Sequence, residues 1–157
     1  MNSITKTKKM RTLRVSLVTS ILAIIMASCV SLYDHYTYTE TIETKLQALS
    51  VMDLSDEPYS EHETEVMALK NQIEKMLTYE KAKSKNAITI KMWEVLHNDK
   101  NLIGSYIKLW KQKGTMNPVF IDEAKPQIAE AFDILIQFEE KKDKKSENIL
   151  ANFINNL

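Results

Sequence analysis

Apolar residues recur every three or four positions through most of the chain beyond residue 38, which is the spacing of one face of an α-helix. The clearest stretch follows Ser60, which stands three residues before Glu63 as in a capping box. Its apolar stripe consists of Val66, Leu69, Ile73, Met76 and Leu77, with Tyr79 at its edge. Lys81, Lys83 and Lys85 come next, at the end of a helix where positive charge is favoured. This pattern predicts a helix that is capped by Ser60 and ends among these lysines.

An earlier helix is predicted over Thr39–Met52, and a loop after it. The apolar residues at helical spacing in this stretch are Ile42, Leu46 and Leu49. Acidic residues near its start favour the helix dipole. Ser55, Asp56 and Pro58 then indicate a loop.

Residues 86–113 carry two apolar lanes in helical register. One lane consists of Ile88, Val95, Leu102 and Leu109, and the other of Leu96, Ile103 and Trp110. Five polar residues, 97–101, interrupt both lanes, and Asp99 would fall inside the apolar sector of an unbroken helix. We expect one continuous helix, because the lanes stay in phase across the interruption. The alternative is a break at which Asn98 or Asp99 caps a second helix.

Turn-forming residues introduce the last part of the chain. Gly114 is expected to end the third segment in a left-handed conformation, and Asn117-Pro118 to start the next element. Pro126 is interpreted as the first turn of the main fourth helix, or a kink, rather than as a mid-helix residue. The core side of this helix is predicted to contain Ile128, Ala131, Phe132, Leu135, Ile136 and Phe138. Residues 139–145 are interpreted as a solvated charged stretch, and residues 146–157 as a short last amphipathic segment.

The composition favours helices throughout. The chain of 157 residues contains two glycines and three prolines, so turn formers are scarce. Lys, Glu, Leu, Ala and Met, which favour helices, are frequent. We therefore predict an all-α fold, a small antiparallel bundle of about four helices that follows an N-terminal signal helix.

The N-terminus has the layout of a secretory signal. Five basic residues and no acid occur in the first fourteen positions, and residues 15–27 are apolar apart from Ser and Thr. The apolar run ends in Met26-Ala27-Ser28-Cys29. This ending resembles the lipobox of bacterial lipoprotein precursors, although Leu is the usual residue at the position of Met26. The resemblance covers this terminus alone, and Cys29 is the only cysteine of the chain.

The resemblance implies a lipid anchor. The signal, residues 1–28, would be removed, and Cys29 would carry a diacylglycerol on its thiol and usually a further acyl chain such as palmitate on its amine. Residues 29–38 would then form a short tether, and residues 39–157 the helical domain. Val30, in place of the aspartate associated with inner-membrane retention, favours the outer membrane if one exists. The alternatives are an uncleaved membrane anchor over residues 15–32 and ordinary signal cleavage.

Charge argues against nucleic acid as a partner. All five basic residues of the first fourteen would leave with the signal, so 16 of the 21 basic residues remain against 21 acids, a net charge of −5. The remaining chain contains no arginine, the side chain best suited to bidentate phosphate and base recognition.

Candidate metal and catalytic motifs are incomplete. Glu94 and His97 have the spacing of a ferritin-like iron pair, but such a site needs two pairs and two further glutamates. The acidic stretch 53–65 alternates like a calcium loop at its start, but Pro58 and Thr64 stand where glycine and glutamate are required. We therefore assign no metal, no cofactor and no catalytic residue, and we do not expect an enzyme.

These observations predict a membrane-anchored helical lipoprotein that acts as a structural or protein-interaction module of the bacterial cell envelope. Its partner would be another envelope protein or a second copy of itself. The alternative is an extracytoplasmic bundle that binds a small apolar or cationic ligand between helices, near Trp93 and Trp110.

Overall fold

The computed structural model describes residues 32–157. Within this range there are six α-helices: α1 (His35–Asp53), α2 (Glu63–Lys81), α3 (Ala87–His97), α4 (Leu102–Lys113), α5 (Pro118–Lys141) and α6 (Lys144–Asn155). Two single 3₁₀ turns, Leu54–Asp56 and Tyr59–Glu61, lie between α1 and α2. The described residues contain no strand, so the predicted all-α class is confirmed, whereas the helices in this range number six where about four were predicted.

Contacts at two levels show that α1 runs antiparallel to α2 and to α5. Thr37 and Glu40 of α1 contact Glu80 and Lys75 of α2, each at 2.6 Å. Lys45 and Asp53 of α1 likewise pair with Asp133 and Lys125 of α5. The third rod of the bundle consists of α3 and α4 in succession, and α6 folds back against α5 and α3. We call the end at which α1 begins the proximal end. The opposite end, which holds Ser55 and Gly114, is the distal end.

The core is filled by large apolar side chains from five of these helices. The largest fully buried residues are Met52, Leu69, Met76, Met92, Trp93, Leu96, Ile103, Ile107, Trp110, Phe132, Leu135 and Phe138. The five stripe residues predicted for α2 are all buried, and so are those predicted for α5 except Ile136, which is partly exposed. Large apolar residues at helical spacing therefore identified the buried faces of α2 and α5 correctly.

The start and the buried face of α1 differ from the prediction. The helix begins at His35, four residues before Thr39, because the Asp34 side chain accepts the N–H of Tyr36 as a cap. The buried positions are Thr37, Thr41, Thr44, Ala48, Val51 and Met52, whereas Leu46 is 62% exposed. Small side chains let α1 approach α2 and α5 closely. The hydroxyls of Thr41 and Thr44 donate to carbonyls of their own helix at 2.6 and 2.7 Å, whereas that of Thr37 donates to Glu80 of α2 at 2.6 Å.

The predicted capping box at Ser60 is wrong. Ser60 lies in the second 3₁₀ turn, α2 begins at Glu63, and no side chain caps it. The N–H of Tyr59 donates to the carbonyl of Gly114 at 2.7 Å, which fixes this turn against the distal end of α4.

The third segment is two helices, so the expected continuous helix is wrong. The Asn98 side-chain oxygen accepts the N–H groups of Lys100 and Asn101, which replaces helical bonds after His97. Gly104 then lies so close to this turn that a Cβ atom there would stand 2.0 Å from the Asn98 carbonyl oxygen. Neither Asn98 nor Asp99 caps α4, whose N-cap position is Asn101.

The turn residues before α5 behave as predicted, whereas two features of α5 do not. Gly114 ends α4 with φ of 83°, and Asn117 accepts the N–H of Val119 as the cap of α5, with Pro118 in the first turn. Pro126 lies inside this single helix, so its interpretation as a first-turn residue is wrong; it is exposed, where the loss of a backbone bond is offset by water. Glu139, expected in a solvated stretch, is completely buried.

None of the described helices is long and apolar enough to cross a membrane. The predicted signal, the lipobox-like residues and Cys29 lie outside the described residues, as does nearly all of the alternative membrane anchor.

Candidate functional site

Two adjoining hollows form a groove between α2 and α4, which we call the α2–α4 groove. Their volumes are about 180 Å³ and about 280 Å³, and they share Lys70, Asp99 and Ile107. The first is also lined by Ile73, Leu96, His97, Ile103 and Gly104, and the second by Tyr59, Glu63, Val66, Met67, Lys108 and Lys111. The groove therefore extends from the α3–α4 break to the distal end.

The break between α3 and α4 accounts for the shape of the groove. Asp99 and Lys100 of the polar turn 98–101 are exposed, and Gly104 supplies no side chain beneath this turn. The floor is apolar, with Ile73, Ile103 and Ile107 among its buried residues. The groove thus combines an apolar floor with a charged rim, which is the composition of peptide- and ligand-binding surfaces.

Two contacts connect α2 to the opposite side of the groove: the Lys70–Asp99 ion pair, and the His97 imidazole, which lies 2.6 Å from the Glu74 carboxylate. The Lys70 ammonium lies 3.4 Å from the Asp99 carboxylate, and these side chains are 43% and 57% exposed. Exposed pairs of this kind contribute only about 0–1 kcal/mol. A partner that enters the groove can therefore displace the Lys70–Asp99 contact at little cost.

The rest of the rim is mixed in charge and includes one exposed apolar side chain. Met67 is 58% exposed beside Lys70. Lys111 lies over the ring of Tyr59, 5.4 Å from its centroid. The Lys70 and Met67 side chains are thus neighbours on one wall, and the lysines of α4 stand on the other.

The tryptophans do not line this groove. Trp93 and Trp110 are completely buried, and neither lines the two hollows of the groove or a third hollow of about 340 Å³ between α4 and α5. The Trp110 indole N–H donates to the carbonyl of Glu57 at 3.1 Å, whereas that of Trp93 has no partner among the described residues. The structure thus places these two rings in the packed core.

A buried polar cluster joins four helices at the proximal end. Its members are Thr37 of α1, Glu80 of α2, Lys83 and Asn86 of the following loop, Thr89 of α3, Glu139 of α5, and Lys142 just after it. Glu80 accepts from Thr37 at 2.6 Å and contacts Lys83 at 2.8 Å. Asn86 also donates to Glu80. Every one of these contacts holds a helix end or a loop against its neighbour.

The second carboxylate of the polar cluster has a similar environment. Glu139 accepts from Thr89 at 2.6 Å, and its other oxygen lies 2.6 Å from the Lys142 ammonium, outside hydrogen-bond alignment. Burial raises the pKa of Glu139, although Lys142 and Thr89 oppose the rise. The negative charge of Glu80 adds to it. Folding therefore favours the protonated form of Glu139.

Asp34 anchors the edge of the polar cluster. Desolvation raises its pKa, but hydrogen bonds from Lys83 and Tyr79 outweigh this effect and lower the pKa to about 2. For Lys83, desolvation works against the charged form, yet hydrogen bonds with Glu80 and Asp34 leave its pKa raised. The carboxylate of Asp34 and the ammonium of Lys83 thus stabilise one another.

The two residues considered as an iron-binding pair, Glu94 and His97, contact different partners. Glu94 pairs with Lys81, while His97 pairs with Glu74. Among the described residues, no group of three or more His, Cys, Asp or Glu side chains is placed to hold a metal ion.

The side chains at the start of the acidic stretch 53–65 likewise each contact a different partner. Asp53 pairs with Lys125, Ser55 hydrogen-bonds the Tyr106 hydroxyl, and Glu57 binds His62. These three side chains are therefore held by other parts of the distal end.

Sequence reasoning missed both buried carboxylates, although their spacing carried a signal. Glu80 stands three residues after Leu77 and four after Met76, and Glu139 stands four after Leu135 and seven after Phe132. Each glutamate therefore continues an apolar stripe by one helical step. A charged residue in register with a core face indicates a paired buried charge.

Comparison of the chain with protein-family models, with curated proteins and with solved structures finds no match.

Proposed function

We propose that the protein is a membrane-anchored helical lipoprotein that acts as a protein-interaction module of the bacterial cell envelope. The anchor would be lipid on Cys29, as the lipobox-like Met26-Ala27-Ser28-Cys29 implies, and the domain would face away from the cytoplasm. The observation that carries the interaction role is the α2–α4 groove, with its apolar floor, charged rim and weak bridging pair.

The groove suits an apolar segment of a protein partner. Its floor of isoleucine side chains can bury apolar anchors, and its length along α4 matches anchors spaced three or four residues apart on a partner helix. Lys108 and Lys111 on the rim favour a partner with acidic residues beside those anchors. The Lys70–Asp99 pair would open to admit the segment.

The experiment compares two exposed apolar residues. Met67, on the groove wall, and Val119, outside the α2–α4 groove at the start of α5, are 58% and 65% exposed. The anchored protein and its Met67→Asp and Val119→Asp variants are captured from their own envelope, and the co-purified proteins are quantified by mass spectrometry. A desolvated charge in the contact should lower recovery of the partner about tenfold or more in Met67→Asp.

Val119→Asp serves as the matched control and should retain the partner at the level of the unchanged protein. Circular dichroism of both variants establishes that the helical fold is intact. Equal recovery of every co-purified protein by all three forms would contradict a role for the groove.

A further inference from the structure

One methionine side chain is exposed among the described residues, and it lies on the wall of the α2–α4 groove. Met67 is 58% exposed, whereas the other four methionines of residues 32–157 are buried: Met52, Met76, Met92 and Met116. We propose that Met67 is a modification site, at which two-electron oxidants such as hydrogen peroxide form the sulfoxide, and that this modification releases the partner from the groove. The effect on the partner rests on the proposed function, whereas the oxidation itself does not.

The fold protects the other readily oxidised side chains of the described residues. Three of the four buried methionines have no exposed surface, and Met116 is 5% exposed. Trp93 and Trp110 are likewise completely buried. An oxidant in water reaches a buried thioether only when the structure around it opens, and such openings are rare in a packed core. Met67 needs no opening, so oxidation should begin there.

The reaction requires only the thioether and the oxidant. A lone pair of the Met67 sulfur attacks one oxygen of hydrogen peroxide, and the O–O bond breaks. The attacked oxygen stays on the sulfur, while the other leaves as water with both protons. The sulfur is oxidised by two electrons and the peroxide is reduced by two. The proposed location outside the cytoplasm is an oxidising compartment, in which an exposed thioether meets such oxidants.

The sulfoxide changes one wall of the groove from apolar to polar. Met67 lines the same hollow as the buried side chains of Val66 and Ile107. In the reduced protein its flexible thioether can therefore pack against an apolar anchor of the partner. The sulfoxide oxygen is a hydrogen-bond acceptor, and an apolar anchor leaves it without a donor. Oxidation should therefore lower the affinity of the groove for an apolar segment.

The lysines of the groove favour the oxidised side chain in the free protein. Lys70, Lys108 and Lys111 line the same hollow as Met67. An ammonium group donates to a sulfoxide oxygen more strongly than to a thioether sulfur, which is a weak acceptor. Acidic residues of the proposed partner would need the same ammonium groups. The sulfoxide thus competes with the partner for the rim as well as for the apolar floor.

The rate of oxidation at each methionine tests the modification site directly. The full-length acylated protein is incubated with hydrogen peroxide, and the sulfoxide fraction at each methionine is followed over time by peptide mass spectrometry. Met67 should be oxidised about tenfold or more faster than any of the four buried methionines, because these react only in opened molecules. In denaturant, where every thioether is exposed, the five rates should converge. Equal rates in the folded protein would overturn the modification site.

Capture of the partner tests the consequence. The reduced and the peroxide-treated protein are each returned to untreated envelope fractions, and the co-purified proteins are quantified by mass spectrometry. Oxidation should lower recovery of the partner about fivefold or more. Treatment with both methionine sulfoxide reductases, one for each sulfoxide epimer, should restore it.

Two variants separate Met67 from every other oxidisable group. Met67→Leu keeps an apolar side chain of similar volume, so it should retain the partner both before and after peroxide treatment. Met67→Gln introduces a polar acceptor without oxidation and should recover little partner in either case. If Met67→Leu lost the partner on peroxide treatment, the effect would belong to another group and the proposal would be overturned.

Failure of this proposal can be told apart from failure of the proposed function. If neither the unoxidised protein nor Met67→Leu recovers a partner, the binding role of the groove is contradicted, while the oxidation rates still decide the modification site. If the unoxidised protein recovers a partner and the Met67 sulfoxide form recovers as much, the binding role stands and its control by oxidation is overturned.

Discussion

The two ends of the bundle are closed by different physical interactions. At the proximal end, two buried carboxylates and their lysines hold the loops, through the polar cluster. At the distal end, Trp110 packs edge-on against Tyr59 at 5.2 Å and donates to the carbonyl of Glu57. The comparison shows that one short helical domain can fasten its loops by buried charge at one end and by aromatic packing at the other, where the carboxylates of the ion pairs Asp53–Lys125 and Glu57–His62 are exposed. We expect the closure by buried charge to respond more strongly to pH.

Trp110→Ala should produce the largest effect, because it removes a completely buried ring at the distal end. We expect the free energy of unfolding to fall by about 3–5 kcal/mol. In a His62→Gln background, denaturant titration near neutral pH and again in mild acid should give the same loss, since the indole carries no titratable group and the His62 ring, 6.0 Å from it, is then absent. Trp110→Phe keeps most of the packing and should lose less. A loss for Trp110→Ala that changes strongly with pH would contradict the division between the two ends.

Lys142→Met should produce the second-largest loss of stability, because it leaves the Glu139 carboxylate buried without its cation. A loss of about 3 kcal/mol is expected at neutral pH. The pKa of Glu139 is already raised by burial, so the folded state binds this proton more tightly than the unfolded chain. Stability from this group is therefore full below the usual glutamate pKa and declines as pH rises through the folded pKa.

Lys142→Met should make the free energy of unfolding decline more steeply as pH rises. Acidification should recover part of the stability that this variant loses at neutral pH. The double variant Glu139→Gln/Lys142→Met removes the charge altogether and should be more stable at neutral pH than Lys142→Met alone. Denaturant titrations across the pH range test both expectations. An equal loss at every pH would indicate that Lys142 acts through packing on Phe138, over whose ring its ammonium lies at 4.5 Å.

Asp34→Asn should give the smallest effect, at the edge of the polar cluster. The pKa of Asp34 is lowered from 3.8 to about 2, so its contribution is present above 3.8 and is lost as pH falls through about 2. The group is partly exposed, and screening limits the loss to less than about 1 kcal/mol. Between about pH 2 and about pH 5, the melting temperature of the variant should fall less steeply on acidification than that of the unchanged protein. An equal fall in both proteins would show that Asp34 does not contribute to the pH dependence of stability.

Sequence pattern predicted the parts of the fold where large apolar residues line one face. The buried stripe of α2 and most of that of α5 were identified in this way, and Asn117 and Pro118 marked the start of α5 correctly. In α1 the pattern of Ile42, Leu46 and Leu49 indicated the wrong face, because half of the buried side chains are threonines. Hydropathy does not distinguish a threonine whose hydroxyl bonds its own helix from one that faces water.

The α3–α4 break and the groove beside it could not be predicted from the spacing of apolar residues. The apolar lanes of residues 86–113 remain in phase across the break, so periodicity favoured a continuous helix. What ends α3 is a set of hydrogen bonds to Asn98, and what allows the close turn is the missing side chain of Gly104. These are contacts between residues of the turn and of α4, and the groove with Lys70 and Asp99 depends on them.

The threonines of α1 have a consequence for the chain before it folds. Thr37, Thr41 and Thr44 occupy half of the six buried positions of this helix. In the unfolded chain their hydroxyls are hydrated. This segment therefore exposes less apolar surface than one with leucine or isoleucine at the same positions. Aggregation of newly synthesised chains begins at exposed apolar segments. A packing face built from threonine thus gives α1 close contacts in the folded bundle while keeping its unfolded form resistant to misassociation.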